Sequence, residues 1–306
     1  MIEHKGKGCT VKVIADSVSE SDQVGGKGKR IVTVQLRYWR PVHAELMTHR
    51  DFSRNASSSR AIPVAKMIEQ VRNDPAGPIQ WGLNQPGMQA AAEQGDWATC
   101  TAHWRAAAGC AADYAQKLMD LGLHKQIANR VLEPFQFISV IVTATEWLNF
   151  FELRSHEDAM PEIRDLSDTI RTAMRESMPT LRKAERADVN SWHLPYVLDS
   201  ERKLYRLDVL QAISAARCAR VSYMTHEGKD PSPEADLALY DKLVGGEPLH
   251  ASPTEHQAVP LAKSTERHKN FVGWHQYRAD VELRIERAKK LTAEQTAAQK
   301  RGTTRR

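Results

Sequence analysis

Cysteine is scarce in this chain, with four in 306 residues: Cys9, Cys100, Cys110 and Cys218. They are scattered without metal-ligand spacing. No metal ligation is expected from them, and a reduced, cytoplasmic setting fits their use. Long apolar runs are also missing. Nothing approaches the roughly 18 consecutive apolar residues of a membrane span, so no membrane partner is expected. Met1 to Thr10 carries lysines with no apolar stretch behind them, unlike a secretory leader. No solenoid-type repeat is visible. What is present is an ordinary globular balance, 41% hydrophobic and 26% charged, enough to build a core.

The net charge of +5 invites a nucleic-acid reading, but its placement argues against one. Arg284 to Arg306 holds eight Lys/Arg against two Glu, so the rest of the chain is near neutral. The excess belongs to a tail, the usual mark of a solvated helix end. The division expected is a flexible N-terminal segment over 1–30, one catalytic domain over 31–280, and a basic helix or tail over 281–306.

The pattern predicts an α+β fold, mostly helical with a small antiparallel or mixed sheet. Ile31 to Tyr38 alternates and is β-branched, predicting a strand. Pro41 opens a short helix running to about His49. Ser53 to Ser59 reads as a loop, as does Ser17 to Lys29, whose glycine cluster beside lysines is a weak phosphate signal. Helices are expected after Pro63, over Ala98 to Leu121 with Gly122 as its stop, and over Met160 to Met178. The apolar spacing of Phe135 to Arg154 predicts one long helix, and Asn270 to Leu291 another. Asp208 to Ala219 and Pro233 to Val244 read as helices, with a short extended segment around Glu255 to Val259.

The densest chemistry lies in Thr48-His49-Arg50-Asp51-Phe52-Ser53-Arg54-Asn55-Ala56-Ser57-Ser58-Ser59-Arg60. Arginine forks with hydroxyls and loop amides form a phosphate cradle. Taken on composition alone, a polar loop whose arginines pair with nearby acids explains it equally well.

The cluster resembles the signature of flavin-dependent thymidylate synthases, an Arg-His-Arg triplet, a spaced serine, then Asn-Glu-x-Ser-x-Arg. His49, Arg50, Ser53, Asn55, Ser58 and Arg60 fall on that pattern, while Thr48 and Ala56 stand where arginine and glutamate are expected. Arg130-Val-Leu-Glu-Pro134 is similar to the family's Arg-x-Val-Leu-Pro, and Glu146-Trp-Leu-Asn149-Phe-Phe-Glu-Leu-Arg154 to its Ser-Leu-x-Asn-Phe-x-x-Leu-Arg. Ala219-Arg-Val-Ser222-Tyr223 and His250-Ala-Ser252-Pro-Thr-Glu255-His256 resemble blocks that precede the signature in the family, yet follow it here. The chain thus reads as a circular permutation, which preserves a site when the termini lie together on the surface.

The resemblance implies the following roles. Arg154 and Ser58 would be catalytic, Arg154 stabilising an anion at uracil N3. Arg60, Arg130, Ser58, Ser59 and Arg154 would bind the nucleotide, with Gln276 and Arg278 taking over the binding role that Thr48 and Glu45 cannot fill. His49, Arg50, Asn149, Ser222, His250, Ser252 and Glu255 would hold FAD. NADPH and 5,10-methylenetetrahydrofolate would be cosubstrates, dUMP the acceptor, and the assembly a homotetramer whose sites draw on several subunits. No cysteine lies in the matched blocks, so the thiolate route to C5 methylation is not expected, whereas a flavin route needs none. The altered signature leaves open hydroxymethylation, a different pyrimidine, or a catalytically dead member. The distant alternative is a basic helical protein binding nucleic acid through its tail.

Overall fold

The fold was read from a computed structural model, which describes residues 3–20, 28–90, 92–223 and 232–303. Gly25 and Gly26 of the glycine cluster lie outside the described residues. β-Branched and alternating runs set the sheet. Strands β1 (Glu3–Lys5), β2 (Cys9–Ser19) and β3 (Arg30–Trp39) form an antiparallel meander. A short 3-10 turn at Arg40–Val42 leads to helix α1 (His43–Leu46), with Pro41 in its first turn. Strand β4 (Ser53–Ala56), helix α2 (Val64–Asn73) and the long helix α3 (Trp97–Asp120) follow. Gly122 closes α3 at φ +77, a left-handed position that suits glycine.

After α4 (Lys125–Ala128) comes β5 (Phe137–Ala144), then α5 (Leu148–Arg154), α6 (Pro161–Glu176) and β6 (Thr180–Arg182). The strand order is β1-β2-β3-β5-β4, with β6 parallel to β2 on a branch, so the sheet is mixed as expected. The remaining chain adds α7 (Asp199–Leu204), α8 (Leu207–Arg220), α9 (Pro233–Val244), β7 (Ala258–Pro260), β8 (Arg267–His268), β9 (Phe271–Val272), β10 (Trp274–Gln276) and α10 (Tyr277–Thr303). The α+β class holds. No helix among the described residues is long and apolar enough to cross a membrane.

Four local expectations are corrected. Residues 3–19, expected in a flexible lead-in, form β1 and β2, and β2 pairs along most of β3. Phe135 to Arg154 is a strand followed by a short helix rather than one helix. Its run Phe-Ile-Ser-Val-Ile-Val-Thr-Ala is buried on both faces, which erases the period that separates strand from helix, and β-branching decides for strand. Ser53–Ala56, expected as loop, pairs with β5 in the register Ser53↔Thr143 to Ala56↔Val140. Residues 271–276 form β9 and β10, so the last helix starts only at Tyr277.

Alternation gives the sheet two faces. One carries Val11, Val32, Val34, Leu36, Val140 and Val142 against Phe150 and the Ile163–Leu166–Ile170 stripe of α6. Burial of this stripe is the main adhesive of the fold, at about 25 cal/mol per Å² of apolar surface. The opposite face is mixed. Ile141 meets Cys218 and Val221, and Ile31 meets Phe271 and Trp274. Between these apolar patches Thr33 and Thr143, directly opposed across β3 and β5, lie fully buried.

Candidate functional site

Strand β4 is the meeting place of the separated motif blocks. At its start, α1 and the turn that follows place Glu45, Thr48 and His49 against the end of α5. Arg154 donates from Nη1 to Glu45 Oε2 at 2.5 Å, from Nε to His49 Nε2 at 3.1 Å and from Nη2 to Thr48 Oγ1 at 3.1 Å. Thr48, one of the two departures from the family signature, therefore braces the arginine. The His49 ring stacks on Phe52 and meets Phe150 edge-on. Burial first, then the Arg154 and Arg54 guanidiniums, holds its pKa below the usual histidine range. A neutral imidazole is what lets Nε2 accept from Arg154.

At the middle of β4, Asn55 reaches Ser252 Oγ at 3.2 Å and His256 Nε2 at 2.9 Å. Ser53 Oγ receives Gln276 Nε2 at 3.1 Å, and the same amide donates to the Glu255 carbonyl at 3.1 Å. Arg278 is ion-paired with Glu255 and donates to Glu282 at 2.6 Å. Gln276 is buried, so it acts on the strand and not on solvent. The replacement expected of Gln276 and Arg278 at Thr48 and Glu45 is not what these contacts show: the pair ties β10 and α10 to the Ser252–Glu255 turn, while Glu45 and Thr48 hold Arg154.

Beyond β4, the Ser58 amide donates to the Ser222 carbonyl at 3.1 Å, and Ser58 Oγ accepts from the Arg60 amide at 3.3 Å. Ser59 donates to Glu133 at 2.8 Å, and Arg130 and Arg40 share that carboxylate at 2.7 and 3.3 Å. Arg130 is thus brought to the serine loop through Glu133. A cavity of about 940 Å³ opens beside the loop, walled by Ile62, Lys66, Phe137, Arg220 and Leu243. Ala56, the second departure, packs against the sheet core opposite Val140.

The exposed side chains of Arg50, Arg60, Asn149 and His250 have no hydrogen-bond or ion-pair partner among the described residues. They are a ready set of donors. Within one chain, however, they are split: Arg154 and His49 sit at the start of β4, Ser58 to Arg60 past its end. The strand alone separates them by roughly 13 Å at about 3.3 Å per residue. Leu148 and Leu153 flank Asn149 and Arg154, and both are more than half exposed.

None of the cysteines is placed as a nucleophile toward this region. Burial pushes Cys9 up to about 12 and raises Cys218 as well, while Cys100 and Cys110 lie on α3. Residues that sequence reasoning missed are Glu45 as the anchor of Arg154, and a buried polar group made of Thr33, Thr143, His193 and His256. Glu45 had a signal, a carboxylate close before the signature arginine. Isolated threonines in a strand have none.

Comparison with known proteins places residues 31–180 in a match to the family profile of thymidylate synthase complementing proteins. Among solved structures, the chain is similar to a UMP/dUMP methylase, PolB, from Streptomyces cacaoi bound with 5-Br UMP, at 19% identity and a TM-score of 0.42, over 54% of this chain and 88% of that one. The same methylase bound with 5-Br dUMP gives 19% identity and a TM-score of 0.44, over 56% and 91%. No curated protein matches the chain.

Proposed function

We propose, from the premise that the chain belongs through residues 31–180 to the thymidylate synthase complementing protein family, that it transfers a one-carbon unit to C5 of dUMP in a flavin-dependent reaction yielding dTMP. The observation that carries this reading is the convergence on β4. Arg154 contacts His49, Ser252 contacts Asn55, and Ser222 contacts Ser58, each pair lying more than a hundred residues apart along the chain. Blocks that resemble the family in sequence thus meet in space although their order along the chain is changed, which supports the circular permutation.

The residues present fit FAD and a nucleotide. Unpaired Arg50 and Asn149 near the start of β4, and unpaired Arg60 past its end, offer donors suited to phosphates and carbonyl oxygens. In this reading Arg50, Asn149, His250, Ser252, Glu255 and Ser222 hold FAD, with His49 behind them. Ser58, Ser59, Arg60 and Arg130 hold the nucleotide phosphate, Arg130 exchanging Glu133 for it. The chemistry supplied by bound FAD is two-electron transfer from NADPH to the one-carbon unit that methylenetetrahydrofolate delivers. Arg154, fixed by Glu45, His49 and Thr48, is pre-organised to stabilise negative charge on the pyrimidine, the kind of positioning that lowers a barrier without moving at the moment of reaction. Glu255 and Gln276 with Arg278 brace the Ser252 turn.

The separation of Arg154 from Arg60 within one chain, and the exposed Leu148 and Leu153 beside Asn149, favour an assembly in which copies complete each other's sites, the homotetramer implied by the resemblance. A second reading keeps the scaffold and changes the product. Thr48 and Ala56 replace two charged signature residues, which favours an altered pyrimidine or hydroxymethylation. Purified protein should show flavin bands that shift with dUMP. Turnover with dUMP or dCMP, methylenetetrahydrofolate and NADPH, read by product mass, separates dTMP from the alternatives. Colourless protein that binds DNA with a steep salt slope would end the proposal in favour of nucleic-acid binding.

A further inference from the structure

Six buried groups form one continuous hydrogen-bonded line through the polar patch of the sheet. Ser17 Oγ lies 3.0 Å from His193 Nδ1, and His193 Nε2 lies 2.8 Å from Thr33 Oγ1. Thr33 and Thr143 hydroxyls are 2.7 Å apart, and Thr143 Oγ1 is 2.8 Å from His256 Nδ1. His256 Nε2 then meets the Asn55 amide at 2.9 Å, and Asn55 meets Ser252 Oγ at 3.2 Å. His193, Thr33, Thr143 and His256 have no exposed surface at all. Ser17 and His193 lie outside every block that resembles the family.

The direction of every bond in the line is decided at Asn55. The amide end nearest His256 also faces the carbonyl oxygens of Arg54 and Ser252, at 3.2 and 3.1 Å. Carbonyl oxygens only accept, so this end is the NH2. An NH2 cannot accept, so His256 Nε2 is bare and its proton is on Nδ1. That proton goes to Thr143. Among the described residues the Thr143 and Thr33 hydroxyls have no other acceptor, so the Thr143 proton goes to Thr33 and the Thr33 proton to His193 Nε2. His193 therefore also carries its proton on Nδ1 and donates to Ser17. At the other end the Asn55 oxygen accepts the Ser252 hydroxyl proton.

We infer that His256 is a positioning residue at the head of a one-way line through Thr143, Thr33 and His193: its bare Nε2, with the Arg54 and Ser252 carbonyls, holds Asn55 in a single amide orientation, which spends the proton of Ser252 inside the protein and leaves its oxygen free only to accept from a ligand. Burial keeps both imidazoles neutral, as the line requires. Ser252 would then take an N–H or O–H of the bound molecule and would be poorly matched to a phosphate or carbonyl oxygen. On the reading proposed above, which this consequence for the ligand rests on, Ser252 faces a ring N–H or a sugar-chain hydroxyl of FAD and not its pyrophosphate.

The test is the tautomer of each imidazole, read by solid-state NMR on the full chain labelled with 15N-histidine. Both His193 and His256 are expected as neutral Nδ1–H forms from pH 6 to 8. Thr33→Val cuts the line, so His193 is expected to become a tautomer mixture while His256 stays Nδ1–H. Thr143→Val leaves the His256 Nδ1 proton without an acceptor and so loosens the hold of its Nε2 on Asn55; it is expected to weaken FAD binding about fivefold, the size of one neutral hydrogen bond of about 1 kcal/mol, with Thr143→Ser restoring it. An Nε2–H form at either histidine of the unmodified protein overturns the inference, as does a His193 signal indifferent to Thr33→Val. Because the wild-type tautomers need neither a folded variant nor flavin, they decide the matter even if the chain proves not to bind FAD. That failure would count against the proposed function alone.

Discussion

Replacing Arg217 by methionine should cost this protein about 3–5 kcal/mol, the range for stripping one partner from a buried ionic cluster. The guanidinium joins three helices. From α8 it donates to Glu201 of α7 at 2.6 and 2.8 Å, to Asp236 of α9 at 2.8 Å, and to the Tyr196 carbonyl at 2.7 Å. Methionine fills the volume but leaves two buried carboxylates, of which Asp236 keeps Arg220 and Glu201 keeps only the Leu198 amide. Burial alone would raise the Glu201 pKa, and its bonds to Arg217 outweigh that and lower it. In the parent protein Glu201 therefore stabilises above its unfolded pKa of about 4.3, and that contribution fades as pH falls through the lower folded value. In the variant only the Leu198 amide still opposes burial and the folded pKa rises, so the penalty is fully present above that raised value and relaxes on acidification. The difference between the two proteins should accordingly shrink from pH 7 to pH 5. Urea unfolding at both values measures it, with the slope against denaturant checking that the same surface unfolds. A difference below about 1 kcal/mol at pH 7, or one of constant size at both pH values, would refute this reasoning.

Three further outcomes follow from the same geometry. Burial depresses His43 to about 4 and His256 to about 3, so both stay neutral when folded and bind protons readily when unfolded. Stability should fall as pH drops from about 6.5 toward 4, by up to about 1.4 kcal/mol per pH unit for each histidine, and His43→Phe should flatten that slope in acid titrations. Gly273, at φ +74, has Ser264 O 2.6 Å and Lys29 Cβ 2.9 Å from where a Cβ would stand, so Gly273→Ala should lower the melting temperature by several degrees in calorimetry. On the proposed function, Arg154→Met should reduce kcat by about a hundredfold or more while shifting the melting temperature little, since the Glu45 carboxylate and Thr48 hydroxyl it leaves behind still reach water. Equal turnover by this variant would remove Arg154 from the chemistry.

The site was more legible than the sheet that carries it. His49, Asn55, Ser58, Arg154 and Ser252 stand out through resemblance to the family's motif blocks, where composition alone leaves an ordinary polar loop as good an account. The strands hide for opposite reasons. β5 is largely buried on both faces and strings apolar residues through both, so its periodicity is blurred, and β4 is so rich in serine and asparagine that local propensity argues for loop. In both cases tertiary pairing decides: Ser53 and Asn55 are strand residues because their hydroxyl and amide find Gln276, Ser252 and His256. Thr33, Thr143 and His193 could not be read from sequence. Each is a lone polar residue in an apolar setting, and its meaning arises only from partners over a hundred residues away. The N-terminal strands were missed because β2 mixes lysine and aspartate into its alternation and shifts register against β3 between Val13 and Ala15, although that pairing buries Cys9 and Val11.

The late position of the Ser252–His256 turn has a consequence during synthesis. A ribosome extruding this chain completes β1 to β5 and α6 long before residue 256 emerges. Through that interval Asn55 and Thr143 have no imidazole to bond and must be served by water. The sheet can settle on its α6 side at once, but its polar side waits on the last fifth of the chain. Messages cut short before that point would yield a half-folded product with one dry face and one wet one, a form that quality-control proteases can tell from the finished protein.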